Sequence, residues 1–363
     1  MKVLIVNAIL YTNEDKIVKK VNSIKDCMIC DLCRAFVNKG HEVTLIAAEE
    51  YKPLMDEEYP FKIIWLKSYF KRIFTANKIP CNIGIIKYLK ENKFDFVISS
   101  EVFSLDTLLV AITCPKKLII WQEMAFHQKM ARQMASKFWH NVIVKLFYKN
   151  VEVIARTDKA REFISKYCGN VSDIIIHHGI DIIKFDFEEH KNKSFIVSSQ
   201  LIDRKRIDLI IKAFGEFIMQ INSDYTLFIA GEGEKKIELE KLTQSLGLDG
   251  KVIFLGKLPH KELIEYLSNA KAMLVYTKKD NSMISIAESI AVGTPVITTS
   301  IPDNAKYIKE YKLGIVSDCW GVKELENVIN NNSEYVNNCK EYRYKLDNEH
   351  NVDLFIDEFR KRG

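Results

Sequence analysis

The chain alternates short apolar runs with amphipathic helical stretches, and it does so twice. KVLIVNA, HEVTLIAA, FKIIWLK, FDFVISS, KLIIWQE and VEVIART have the length and branched-residue content of strands. Between them, SIKDCMICDLCRAFVNKG, IGIIKYLKENK and TDKAREFISKYCG carry helical spacing, the last with Thr157 or Asp158 as its cap. Strands separated by helices make βαβ units and hence parallel sheets. The short all-apolar strands fit burial on both faces. At 187–194, FEEHKNKS, the pattern lapses into charge, which marks the expected hinge. A second series then begins. SFIVSSQ, YTLFIAGEGE, KVIFLGKL, KAMLVYT and PVITTS read as strands, RIDLIIKAFGEFIMQI, IELEKLTQSLGL, HKELIEYLSNA and ISIAESIAVG as helices. From about 323 the tail is helical and charged.

The expected architecture is therefore α/β, with two doubly wound Rossmann-like domains. Residues 1–188 form the first and 189–340 the second, and a helix in 341–363 is expected to return to the first. Ligands of such sheets lie beyond the carboxyl ends of the strands, so the site is expected in a cleft between the domains.

Composition excludes several classes. Of 363 residues, 47% are hydrophobic and 28% charged, as in soluble globular proteins. A formal charge of +5 is mild, and no nucleic-acid partner is expected. No apolar run is long enough to span a membrane as a helix. The start, MKVLIVNAILYTNED, has a short apolar run, no small-residue cleavage site and early acids, so it reads as a buried strand, not an export signal. The eight Cys are then expected to be reduced thiols in the cytoplasm. CMICDLC spaces Cys27, Cys30 and Cys33 in a way that could suggest an iron–sulfur cluster. A helix ending at Gly40 with buried cysteines accounts for the same run.

The most informative stretch is DNSMISIAESIAVGTPVITTS, residues 280–300. Asp280 falls at the carboxyl edge of a strand. Asn281 or Ser282 can cap a helix from about Met283 to Val292, with Gly293 closing it. The amides of Ser282, Met283 and Ile284 would form an anion-binding helix start. Glu288 lies about two turns in, where its two acceptor oxygens can meet an adjacent diol. The plainer alternative is a solvated loop acid and a wet helix face.

Asp280, Glu288 and the following A-x-G-T-P-V-I-T resemble the carboxylate pair of retaining GT-B glycosyltransferases of glycosyltransferase family 4. The resemblance continues upstream in order, through SSQLIDRKRIDLIIKAF, FIAGEGE, VIFLGKLPHKELIEYLSNAKAMLVYT and IIIHHGIDIIKF, and covers nearly all of 150–317. It implies a nucleotide-diphosphate sugar as co-substrate and no metal cofactor. Glu288 would hold the ribose hydroxyls, Asp280 would touch the donor sugar, and Lys205 would neutralise the pyrophosphate as charge develops on it. Gly231 and Gly233 would form the family's Gly-x-Gly loop, and the backbone near Leu258 would meet the base. His127 in WQEMAFHQK resembles the family's His near donor sugar and acceptor, though a surface helix residue is an equal reading. His178 stands where the family has Asn.

This sequence departs from the pattern at several places. Gln200 stands where the family has Arg, and Arg204, Arg206 and Arg156 are the candidates to replace it. Asp280 and Asn281 replace Glu and Gly. The first loop, ILYTNEDKIVKKVNS, lacks the family's glycines, and no Asp-x-Asp pair occurs.

Between His127 and Val151 there is no acid, while Lys129, Arg132, Lys137, Lys145 and Lys149 interleave with Phe138, Trp139, Phe147 and Tyr148. SYFKRIF at 68–74 adds two cations among aromatics. Such helices can lie on anionic membrane, so peripheral contact through 127–150 is expected, with a solvated or packed helix as the bland alternative. The function this implies is transfer of a sugar to a glycan or lipid-linked glycan in bacterial cell-surface polysaccharide synthesis, at the inner face of the membrane. Two alternatives stand: a degenerate transferase serving as a glycan-binding or accessory subunit, and a sugar-nucleotide epimerase of the same architecture.

Overall fold

The computed structural model describes residues 1–11, 18–128, 133–221 and 224–362. It divides into two compact units, Met1–Asp181 together with the segment from Asn348, and Ile182–Asp347. The sequence reading had set the divisions at 188/189 and 340/341.

Unit 1 is built on β1 (Lys2–Val6), β2 (Glu42–Ala48), β3 (Lys62–Leu66), β4 (Phe96–Ser100), β5 (Leu118–Gln122), β6 (Glu152–Ala155) and β7 (Val171–Ile175). They lie in the order β3-β2-β1-β4-β5-β6-β7, every neighbouring pair parallel. The direction of winding reverses between β1 and β4. Strand alternation sends Val3 and Ile5 into one core with Phe36, Phe96 and Trp121, and Leu4 and Val6 into another with Val97, Ile120 and Val153. Each such buried side chain contributes about 1.5–3 kcal/mol. This two-faced burial is the reason the strands carry no polar alternation. The helix Asn348–Arg360 completes the first core, with Phe355 against Trp121 at 5.4 Å and Phe359 against Phe96 at 4.8 Å.

The cysteine run lies on the helix Met28–Asn38, which stops just before Gly40 at φ 79°. Cys30 and Cys33 are buried in the core and Cys27 is half-buried. Burial pushes the Cys27 thiol up to about 11 and that of Cys30 to about 12, so these groups are protonated packing residues. In unit 1 the helix Leu105–Thr113 has no counterpart in the sequence reading; it is begun by Ser104, whose hydroxyl accepts from the Thr107 amide at 3.3 Å.

Unit 2 repeats the plan with β8 (Ser194–Ser198), β9 (Thr226–Ala230), β10 (Val252–Gly256), β11 (Ala272–Leu274), β12 (Val296–Thr298) and β13 (Gly314–Val316). Their order is β10-β9-β8-β11-β12-β13, again all parallel, with the reversal between β8 and β11. This is the dinucleotide-fold order. The stretch 187–194, expected as a hinge, is instead fastened within this unit. The Lys191 ammonium donates to the carbonyls of Ser268 at 2.7 Å and Val292 at 3.1 Å and to the Thr294 hydroxyl at 3.1 Å. A charged sequence looked solvated, but Lys191 has exchanged water for oxygen acceptors of the protein.

Asp106 is 1% exposed and accepts one bond from the Asn82 amide at 2.9 Å. Burial pushes its carboxyl up to about 7. A raised folded value means that the fold binds a proton the unfolded chain has released. Stability should therefore fall as pH rises from about 4 towards about 7, by a few kcal/mol. Asp106→Asn keeps the shape and the acceptor, and removes this component. Urea unfolding at pH 5 and pH 8 should show a smaller loss between the two for the variant than for the parent.

Candidate functional site

The switch point of the second sheet brings two loops together. β8 and β11 are adjacent, with Phe195 opposite Ala272, so the loops that leave their carboxyl ends open on the same edge. The loop after β11 is bonded to the loop after β8 by the Lys278 amide, which donates to the Arg204 carbonyl at 2.8 Å. The Thr277 hydroxyl lies 3.2 Å from the same carbonyl and 2.7 Å from Asp280 Oδ2.

On this framework Lys205 Nζ donates to Asp280 Oδ2 at 2.9 Å, and Arg204 Nη1 to Asp280 Oδ1 at 2.7 Å. The Lys205 and Asp280 side chains are 10% and 12% exposed, whereas that of Arg204 is 41% exposed. The first pair is thus the shielded one, and the second is weakened by solvent. Burial lowers the Lys205 ammonium below its ordinary value, with the Asp280 hydrogen bond opposing. Burial works against the Asp280 charge, but hydrogen bonds from Lys205 and Thr277 outweigh it and hold the carboxyl below its ordinary value. Two cations around one carboxylate leave a net positive charge at the loop edge. Of the cations considered for the missing arginine at Gln200, only Arg204 joins this group. Arg206 is bound by both oxygens of Asp208 at 2.9 Å, and Arg156 lies in unit 1.

Gly231 and Gly233 follow β9. Gly231 has φ 144°, and a Cβ there would stand 1.8 Å from the Ser199 carbonyl oxygen. At Gly233 a Cβ would stand 2.3 Å from the Leu201 carbonyl oxygen. These glycines are required because the loop after β8 runs against them, and they fix the path of the chain towards Lys205.

The helix bearing Glu288 runs Ile284–Ala291, with Met283 at its cap position and no capping by Met283's own side chain. Here the structure corrects the expected helix start. Asn304 Oδ1 accepts from the Met283 amide at 2.7 Å, and its Nδ2 reaches the Met283 carbonyl at 3.2 Å. The Met283 amide is therefore satisfied by protein and is withdrawn from the anion-binding set, which keeps Ser282 and Ile284. Asn281 and Ser282 do not cap the helix; a residue beyond the next strand does. Glu288 Oε1 lies 2.9 Å from His260 Nε2, and Leu258 is half-buried on the loop before the helix His260–Asn269.

In unit 1, His127 is enclosed by hydroxyls and rings. Its Nδ1 lies 3.1 Å from Ser136 Oγ and its Nε2 3.0 Å from the Tyr167 hydroxyl. Burial, with the Lys137 charge, lowers its pKa, and burial lowers the neighbouring His140 to about 4, so both rings are neutral near pH 7. The sequence reading named Arg156 and His178 separately but missed the charged group they form with Glu123 and Glu101 beyond the strand ends of unit 1. Arg156 Nη1 donates to His178 Nε2 at 2.9 Å and to Glu123 Oε2 at 3.2 Å, and its guanidinium lies 3.8 Å over the Trp121 ring. Glu101, at φ 68°, accepts from the amides of Glu123 at 2.8 Å and Met124 at 3.2 Å, and burial raises its carboxyl to about 7. Of the expected basic surface, Lys129 and Arg132 lie outside the described residues, as do residues 12–17 of the first loop. Among the described residues no cluster of metal-ligating side chains occurs.

The fold is of the GT-B class, and comparison with known proteins gives the family. Residues 180–346 match the model of glycosyl transferases group 1, and residues 28–184 that of glycosyltransferase family 4. The chain belongs to the group 1 glycosyltransferases. It is 26% identical over 327 residues, 84% of this chain and 86% of the relative, to a Campylobacter jejuni α-1,4-N-acetyl-D-galactosaminyltransferase that acts on a diNAcBac-PP-undecaprenol-linked glycan. Two solved structures share the fold. Anabaena HepE in complex with UDP superposes with a TM-score of 0.69 at 13% identity, covering 99% of this chain and 100% of that one. WaaG, a glycosyltransferase of lipopolysaccharide biosynthesis, superposes with a TM-score of 0.60 at 17% identity, covering 97% and 99%.

The tie between Asn304 and Met283 can be tested alone. Asn304→Ala should destabilise unit 2 by about 1–3 kcal/mol, through a lost cap and a stranded amide. Asn304→Asp, which keeps the acceptor, should recover much of that in urea melts.

Proposed function

We propose that the chain is a retaining, metal-independent glycosyltransferase that moves a sugar from a nucleoside-diphosphate donor to a glycan or lipid-linked glycan in bacterial cell-surface polysaccharide synthesis. The observation that carries this reading is the group at the β8–β11 switch point. Lys205 and Arg204 supply cationic charge there, Asp280 orients them, and Glu288 offers a carboxylate on the following helix. In this reading Lys205, Arg204 and the amides of Ser282 and Ile284 hold the diphosphate. Lys205 stabilises the charge that grows on the leaving phosphate, which removes the need for a metal. Glu288 takes the ribose diol, the backbone about Leu258 meets the base, and Asp280 lies towards the donor sugar. His127 serves on the acceptor side in unit 1. The undecaprenol-linked substrate named for the Campylobacter relative supports a lipid-linked acceptor.

The same reading places the protein at the inner face of the membrane. Its support is the stretch 133–149, where Met134, Phe138, Val142 and Leu146 recur at every fourth position and all are exposed. Lys137 and Lys145 lie between them and Lys149 follows. Apolar side chains beside lysines suit the boundary of an anionic bilayer.

Lys205→Ala and Glu288→Ala should each lower sugar transfer by about 10²–10³-fold with the fold intact by circular dichroism. Near-normal turnover in both would remove this site from the chemistry. A nucleoside diphosphate at a hundred times its Kd should raise stability by about 2.7 kcal/mol, read as a shift in Tm. A protein that no nucleoside diphosphate shifts would fit the accessory-subunit alternative. For the membrane, the chain should sediment with phosphatidylglycerol vesicles at low salt, and the double variant Phe138→Ser with Leu146→Ser should stay in the supernatant.

A further inference from the structure

Glu288 does not stand alone. Its side chain is 13% exposed and its Oε1 lies 2.9 Å from His260 Nε2. A carboxylate only accepts, so the imidazole N–H donates and His260 carries its proton on Nε2 in this contact. The histidine is the first residue of the helix His260–Asn269, directly after Pro259, so its backbone is held at a helix start. The edge of the buried Phe185 meets its ring at 5.9 Å and 85°. A ring fixed at its backbone and on one side is therefore aimed at one oxygen of Glu288. This contact joins two chain segments distant in sequence, at 260 and 288.

The chemical consequence concerns the free lone pairs. An ionised carboxylate offers roughly four acceptor positions, and a cis-diol needs two of them. A free glutamate side chain would have to be ordered on binding and would lose rotamer freedom. With Oε1 already held, that ordering is done before the ligand arrives, and Oε2 with the remaining lone pair of Oε1 is presented to the diol. Among the described residues no other group is bonded to the Glu288 carboxylate, so the histidine is what orients it.

We propose that His260 is a positioning residue for the ribose of the donor: its N–H holds Glu288 so that the carboxylate selects a nucleotide bearing an intact 2′,3′-diol. This rests on the reading of the site given above, and it adds a residue that the sequence motifs do not carry.

Titration calorimetry would test it with whichever of UDP, GDP and ADP the parent chain binds best, alongside the 2′,3′-dideoxy form of the same nucleotide. The parent should prefer the diol form. His260→Ala should weaken binding of the diol form roughly tenfold and leave the dideoxy form unchanged. His260→Gln, whose amide N–H can reach the same oxygen, should recover most of the loss. Adding His260→Ala to Glu288→Gln should weaken binding no further than Glu288→Gln alone. Equal loss for both nucleotide forms, or an additive double variant, would make His260 a structural residue and overturn the inference. If Glu288→Gln abolishes the preference for the diol while His260→Ala binds like the parent, the inference falls and the functional reading stands. If Glu288→Gln leaves the preference untouched, the assignment of the ribose to this site falls, and the inference with it.

Discussion

The parallel pairing of β8 with β11 is the constraint on which the candidate site depends. These strands are far apart in sequence and adjacent in the sheet, and their loops leave from the same edge. In a parallel sheet that edge is always the carboxyl edge, and winding away in opposite directions leaves the space above it uncovered. Lys205 and Asp280 meet because of this topology. No local feature of either loop would bring them together. The loops are then held at backbone level, through the amide of Lys278 on the carbonyl of Arg204, so the ion pair is built on a fixed frame. The glycines act at the same level, since the close approach of the Ser199 and Leu201 carbonyls leaves no room for a side chain on the opposing loop.

The charge balance of this group is what gives it a direction. A half-buried lysine with one carboxylate would be a neutral structural pair. The second cation, Arg204, breaks the balance and is the more exposed of the two. An exposed guanidinium contributes little to folding but remains available for bidentate contact with an anion. In the proposed reading, Arg204 supplies the cation that the loop lacks where Gln200 stands in place of the family's arginine.

Much of the fold was legible because burial on both faces forces strands such as KVLIVNA to be apolar throughout, and because the helices between them keep their period. The order of motifs in unit 2 was legible for the same reason that βαβ order is: each loop follows its strand. What escaped was of two kinds. The cap on Met283 comes from Asn304, beyond β12, and no spacing rule relates those positions. Lys191 escaped because charge in a sequence says nothing of the carbonyl oxygens that will surround it. The group of Glu101, Glu123, Arg156 and His178 escaped as a group: Arg156 and His178 were noted separately, each member follows a different strand, and only the order of the sheet assembles them.

That group also bears on how unit 1 is read. His127 was singled out by its place in a motif, yet both its ring nitrogens lie against hydroxyls, and its ring packs against Phe163 and His140 at 5.1 Å. To act on a substrate it would first have to exchange one of those contacts. Arg156 is equally enclosed, but its partner Glu123 keeps a side chain 40% exposed. Burial opposes the Glu123 charge, and contact with His178 and Arg156 nonetheless pulls it down to about 2, so it is ionised at neutral pH. Burial raises the Glu101 carboxyl beside it to about 7, and this carboxyl holds the backbone amides of residues 123 and 124, which lead on to His127. The strand ends of unit 1 therefore join a fixed anion, a buried cation and a carboxyl that titrates near pH 7 to the loop that carries the motif histidine.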